Sequence, residues 1–129
     1  MKIQNPPTQI AELFKALSQP VRIEILLAIG GGEACVCHLE ATLKLRQAYL
    51  SQHLMALRQA GALTTRRAGR FVFYSLANPN LIPLIRLAAE TLGIPAQQVV
   101  SAAENQPRPG CDCPKCAPAP PHGLIELKI

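Results

Sequence analysis

Apolar residues recur along this chain first at helical and then at strand spacing. Ile10, Leu13, Phe14 and Leu17 return every three or four positions between Pro7 and Leu17, which predicts a first helix. Gln19-Pro20 restarts the chain, and Pro20 suits a first helical turn because its missing N–H would have no partner there. Ile23, Leu26, Leu27 and Ile29 mark a second helix, which Gly30-Gly31-Gly32 stops. A third, short helix is expected from about Cys35 to Leu43. A fourth is expected from about Gln47 to Gln59, with Leu50, Leu54 and Leu57 inward and Gly61 as its C-terminal stop.

The period then changes. From Ala62 to Leu76, Leu63-Thr64-Thr65 and Phe71-Val72-Phe73-Tyr74 flank Arg66-Arg67-Ala68-Gly69-Arg70, a pattern of two short strands around a glycine-containing turn. Asn80 stands where it can cap a further helix, with Leu81, Leu84, Ile85, Ala88 and Leu92 on one face and Pro83 tolerable only in its first turn. Another short helix is expected from Pro95 to Glu104. Gln106 to His122 then holds six of the twelve prolines and reads as an irregular arm. Leu124 to Ile129 alternates in part, as an edge strand able to pair with another chain would. The reading is one folded unit over 1–105 and a Pro/Cys-rich C-terminal arm over 106–129, with a mainly α fold carrying a small β-hairpin.

Charge sharpens this outline. The 129 residues carry a formal net charge of +5. From Ala41 to Ala89 there is no Asp or Glu, while Lys44, Arg46, Arg58, Arg66, Arg67, Arg70 and Arg86 supply seven positive charges. Such clustering fits a nucleic-acid partner better than net charge alone does. Two short helices joined by a tight turn and followed by a basic hairpin describe a winged helix-turn-helix, whose second helix enters the major groove of double-stranded DNA. On that helix Arg46, Gln47, Ala48, Ser51 and Gln52 are placed to reach phosphates and base edges, and His53 to bond a phosphate or brace the turn. Arg66, Arg67 and Arg70 of the hairpin would reach phosphates or the minor groove. A plain solvated helix face is the competing reading, and the acid-free stretch weighs against it.

No window reaches the ~18 apolar residues of a membrane span, and Met1 to Gln9 lack a basic start followed by an apolar run. The chain is therefore read as cytoplasmic, where clustered cysteines suit metal or redox chemistry better than structural disulfides. There are five, in two clusters: Cys35 and Cys37 at the start of the third helix, and Cys111, Cys113 and Cys116 in the arm. On a helix, positions i and i+2 lie roughly 200° apart. Both thiolates of the first cluster can then hold one ion only if that turn is distorted. His38 and His122 read as solvent residues. Neither a phosphate loop nor a nucleophile with a base is visible, so an enzyme is the weakest reading.

Three segments together carry a resemblance: Leu17-Ser18-Gln19-Pro20-Val21-Arg22-Ile23-Glu24-Ile25-Leu26; Leu50-Ser51-Gln52-His53-Leu54 with Leu57-Arg58-Gln59-Ala60-Gly61; and Arg66-Arg67-Ala68-Gly69-Arg70 with Tyr74. In this order they resemble the ArsR/SmtB winged-helix repressors over about residues 8 to 93. The resemblance implies a homodimer joined through the first and last core helices, and repression of a resistance or efflux operon that is relieved when an inducer binds. It also makes Glu33-Ala34-Cys35-Val36-Cys37-His38-Leu39 look like the family's metal box. Two departures matter. Arsenite-responsive members that use this helix alone carry a third cysteine where Glu40 stands here, and His38 replaces the usual Asp. Some relatives complete the box from a terminal segment of the partner subunit, so Cys111, Cys113 and Cys116 are the expected donors to Cys35 and Cys37. Soft thiolates select soft ions: three sulfurs suit arsenite, antimonite or lead, and four suit cadmium or zinc. The family's zinc-type site on the last core helix is not expected, because between Leu81 and Leu92 only Glu90 is available. Two other readings use the same scaffold: a thiol-redox or persulfide sensor, and a module whose arm holds structural zinc and docks another protein.

Overall fold

Prolines open the first two helices at positions where the missing N–H has no bond to lose. In the computed structural model, which describes residues 5–99, α1 spans Pro6–Ala16 and α2 spans Pro20–Ile29. Asn5 caps α1 through its side-chain oxygen, which accepts the Thr8 N–H at 3.0 Å. A strand β1, Glu33–Cys35, leads directly into α3, Val36–Leu43. Lys44 ends α3 in the left-handed region at φ 57° while its N–H bonds Glu40 O at 2.7 Å. Leu45 and Arg46 complete the turn into α4, Gln47–Gln59.

The predicted bounds of α4 hold, and so does its stop. Gly61 takes φ 85°, its N–H bonds Arg58 O, and the Ala62 N–H reaches back to Leu57 O at 2.9 Å. This paired closure satisfies the last carbonyls and sends the chain into the sheet. Strands β2, Leu63–Ala68, and β3, Phe71–Leu76, form the hairpin, with Gly69 and Arg70 at its tip. The sheet has three antiparallel strands in the order β1-β3-β2. Helix α5, Leu81–Thr91, follows, and a single 3-10 turn, Ala96–Gln98, closes the described part.

The core lies where these elements meet. Ile25, Leu26 and Ile29 of α2 pack with Leu39 of α3, Leu50, Leu54 and Leu57 of α4, Leu63 of β2 and Ile85 of α5. This is a winged helix-turn-helix, mainly α with a small sheet.

Several expectations are corrected. The sheet has a third strand, β1, and the hairpin turn is shorter than Arg66 to Arg70, since Arg66 and Arg67 belong to β2. Asn80 makes no side-chain cap to α5; Asn78 accepts the Asn80 N–H instead, at 2.8 Å. In place of a helix from Pro95 there is the 3-10 turn, and that expectation's residues beyond 99 lie outside the described part. So do the arm and the edge strand at Leu124 to Ile129.

Candidate metal centre and nucleic-acid interface

Cys35 is not inside α3 as expected. Its pairing with Phe73 holds it extended, at φ −84° and ψ 168°, so it is the last residue of β1 and the N-cap of α3. Its Sγ accepts the His38 N–H at 3.2 Å, in place of the Ser, Thr or Asp oxygen usual at this position. Cys35 is buried with Phe73, and Cys37 packs against the pair from a half-buried position together with Ala68 and Phe71. His38, expected in solvent, is buried in the first turn of α3 because Cys35 fixes that turn against the sheet.

Two thiols in one cluster are donors of the right chemistry for a soft ion. Among the described residues, no three His, Cys, Asp or Glu side chains come together as a ligand group. Cys111, Cys113 and Cys116 lie outside the described residues.

The polar surface of the helix-turn-helix is built on α4. Arg46, Gln47, Ala48 and Gln52 are exposed and Ser51 half-buried, all on its N-terminal half. Tyr49, which the sequence reading did not single out, is also exposed there, its ring edge-on to His53 at 4.7 Å. His53 is turned inward. Its Nδ1 accepts the Arg22 Nε–H at 3.1 Å, and Nη1 of the same guanidinium donates to Ala16 O at 3.0 Å. Arg22 thus ties the end of α1 and the helix α2 to α4. Only the fold brings these residues together, so spacing gave no signal for Arg22.

Burial, and then the nearby Arg22 charge, hold the His53 pKa below its ordinary 6.5. The folded protein excludes a proton that the unfolded chain accepts, so stability is present above pH 6.5 and is lost as pH falls through the depressed folded value. Thermal unfolding followed from pH 8 to pH 5 should show this acid-side loss. His53→Gln keeps an acceptor without titrating in that range and should flatten the loss; equal slopes in the two proteins would remove His53 as its cause.

The wing arginines are placed differently from one another. Arg66 stands opposite Phe73 and Arg67 opposite Val72, so they project from opposite faces of the sheet. Arg66 donates from Nε and Nη2 to the two carboxylate oxygens of Glu33, each at 2.8 Å, which holds its pKa above the ordinary value. Arg67 is exposed, and Arg70 at the tip lies over the Phe71 ring at 5.0 Å. Sequence reasoning missed Glu33 because its partner is 33 residues away.

On the side formed by α1 and α5, apolar residues stay uncovered. A groove of about 720 Å³ is lined by Phe14, Leu17, Ile23, Leu27, Leu84, Leu87, Leu92 and Ile94 among others. Phe14, Leu87 and Leu92 are 52%, 58% and 75% exposed, too much apolar surface in one place for scattered surface residues. No helix among the described residues is long and apolar enough to cross a membrane.

The family described as "Bacterial regulatory protein, arsR family" matches residues 19–64. The chain is 39% identical over 84 residues to a "Transcriptional repressor SmtB homolog" of Synechocystis, an alignment covering 65% of this chain and 64% of that protein's length. It is 42% identical over 83 residues to the "Biofilm growth-associated repressor" of Agrobacterium fabrum, covering 64% of this chain and 71% of that one. It is 35% identical over 86 residues to a "Cadmium resistance transcriptional regulatory protein CadC homolog" of Staphylococcus aureus, covering 66% and 70%. Among solved structures, reduced HlyU from Vibrio cholerae superposes with a TM-score of 0.60 at 33% identity, covering 66% of this chain and 90% of that one. The homodimeric winged helix-turn-helix domain of Mb0332 from Mycobacterium bovis superposes with a TM-score of 0.61 at 26% identity, covering 72% and 91%.

Proposed function

Because this chain belongs to the arsR family of bacterial regulatory proteins, we propose that it is a cytoplasmic, metal(loid)-responsive transcriptional repressor. As a homodimer it holds double-stranded operator DNA, and it lets go when Cys35 and Cys37 bind a soft ion, arsenite, cadmium or lead. One observation carries the reading: a half-buried thiol and a buried one cluster at the start of α3, the helix that precedes the reading helix, and the buried one is the cap of α3.

In the DNA-bound state Gln47, Ala48, Ser51 and Gln52 face base edges, and Arg46, Arg67 and Arg70 face phosphates. The described residues supply two sulfurs, so the third and fourth come from Cys111, Cys113 and Cys116 of the arm, across the dimer. A bound soft ion supplies coordination strong enough to compete with the weak N–H bond now held by Cys35 Sγ. Giving up that bond uncaps α3, for which about 0.5–2 kcal/mol is the usual cost. Residues 106–129 thereby act as one half of the sensor and 1–105 as the other. The uncovered groove on α1 and α5 is the dimer face.

The test is an operator titration under reducing conditions with arsenite, cadmium and lead salts, on the full chain and on Cys35→Ser and Cys37→Ser. Serine can still cap α3 but is a poor donor to a soft ion. The full chain should release DNA with at least one ion, and neither variant should. Release by none of the three defeats the reading. Release of the ion-free protein by a peroxide, with two thiols lost by mass, would assign the same cysteines to redox sensing instead.

A further inference from the structure

Directly opposed residues in a sheet share a face. Cys35 stands opposite Phe73, and Phe73 opposite Arg66, so the three form one row across β1, β3 and β2. Glu33 lies two residues before Cys35, on the same face of β1. Its neighbours in the next row are Ser75 and Thr64, whose hydroxyls bond each other at 3.0 Å. Glu33 reaches diagonally past them to hold Arg66 with both carboxylate oxygens. The Arg66 guanidinium in turn covers the Phe73 ring at 4.8 Å. A sulfur of the sensor box and the wing are thus joined by packing through Phe73 and by a two-bonded ion pair over it.

We infer that Glu33 and Arg66 are positioning residues that make the wing follow the state of Cys35. The inference rests on the proposed function, since it takes Cys35 as an inducer thiol. When Cys35 gives its sulfur to an ion, it leaves both the His38 N–H and its place against Phe73. The ring then loses its Cys35 contact but keeps Ala68, Phe71 and the Arg66 guanidinium, and Arg66 is held to β1 by Glu33. Movement of β1 therefore pulls β2 and β3 as a unit, and with them Arg67 and Arg70, which ride on the same hairpin. Without the Glu33 link β1 is joined to β3 by its short backbone ladder but no longer directly to β2, which carries Arg66 and Arg67. Phe73 passes the motion through contact, and the ion pair adds a direct tie from β1 to β2.

The experiment measures operator affinity by fluorescence anisotropy for the full chain and for Glu33→Gln, each with and without the ion salt that releases the wild type. Thiolate-to-ion absorption reports occupancy in parallel. Couplings between sites are typically about 5–150-fold. The variant should load the ion with unchanged stoichiometry, while its ion-induced loss of affinity shrinks to less than about 3-fold from a wild-type loss in that range. Hydrogen exchange should show ion-induced opening of the Arg66 to Val72 amides in the wild type and much less in the variant. Arg66→Lys, which keeps the charge but not the two-bonded geometry, should behave like Glu33→Gln and serves if that variant does not fold. An unchanged ion response in both variants overturns the inference alone. So does an equal fall in affinity with and without ion, which would mean a purely structural role. A wild type that loads no ion at Cys35 and Cys37 overturns the proposed function and the inference with it.

Discussion

Leu87→Asp should yield a folded monomer that no longer holds an operator. Leu87 is 58% exposed in the single chain, on α5, so the substitution removes little of the core and far-ultraviolet circular dichroism should be unchanged. It stands in the groove with Phe14, Leu84 and Leu92. In a two-fold dimer the same patch meets itself, so each change counts twice. Burying one leucine contributes about 1.5–3 kcal/mol. Losing two, before any cost of burying the carboxylates, amounts to about 3–6 kcal/mol, or roughly 10²–10⁴ in dimer dissociation constant. Sedimentation equilibrium decides the matter: a variant still dimeric at low micromolar concentration would move the interface away from α1 and α5. Operator affinity should fall with dimerisation, because one half-site alone gives half the contacts.

Phe73→Ala should produce the largest loss of stability available from a single side chain outside the helical core. The ring is almost fully buried and belongs to the same small cluster as Cys35. Removing a buried phenyl ring costs about 3–5 kcal/mol, against a total of about 5–15 kcal/mol for an ordinary domain. Urea unfolding should show a lower midpoint with little change in slope, the signature of lost stability and not of a changed unfolded state. A loss below about 1 kcal/mol would mean that the cavity collapses and that the cluster does not bind β1 to the hairpin. The same variant should load ion without transmitting it, since the contact between the cap residue and Arg66 passes through this ring.

Local pattern was a good guide to helices and a poor guide to everything that depends on partners in space. Leu50, Leu54, Leu57 and Gly61 located α4 and its stop because spacing and a left-handed glycine are properties of the segment itself. Strand β1 has three residues, too few for alternation to register, and its extended form comes from pairing with β3 some forty positions later. That pairing moved Cys35 out of the helix and made its sulfur a cap. The Arg-Arg-Ala-Gly-Arg run looked like a turn because charge and glycine suggest one. Two of its arginines instead continue a strand and point to opposite faces, which separates Arg66, held by Glu33, from Arg67. Phe14 and Leu92 had the periodicity of core residues, and periodicity does not distinguish a face buried in the same chain from one left uncovered. Arg22 and His53 lie 31 residues apart and carry no mark of being joined.

That last contact bears on the DNA as much as on the protein. One guanidinium spans the end of α1 and the reading helix. In the proposed dimer built on α1 and α5, this contact joins the dimer face to the reading helix. An extra base pair between half-sites turns one of them by about 35° and shifts it along the duplex. Under the proposed function, an operator with one base pair added between its half-sites should therefore bind less tightly than one of the original spacing.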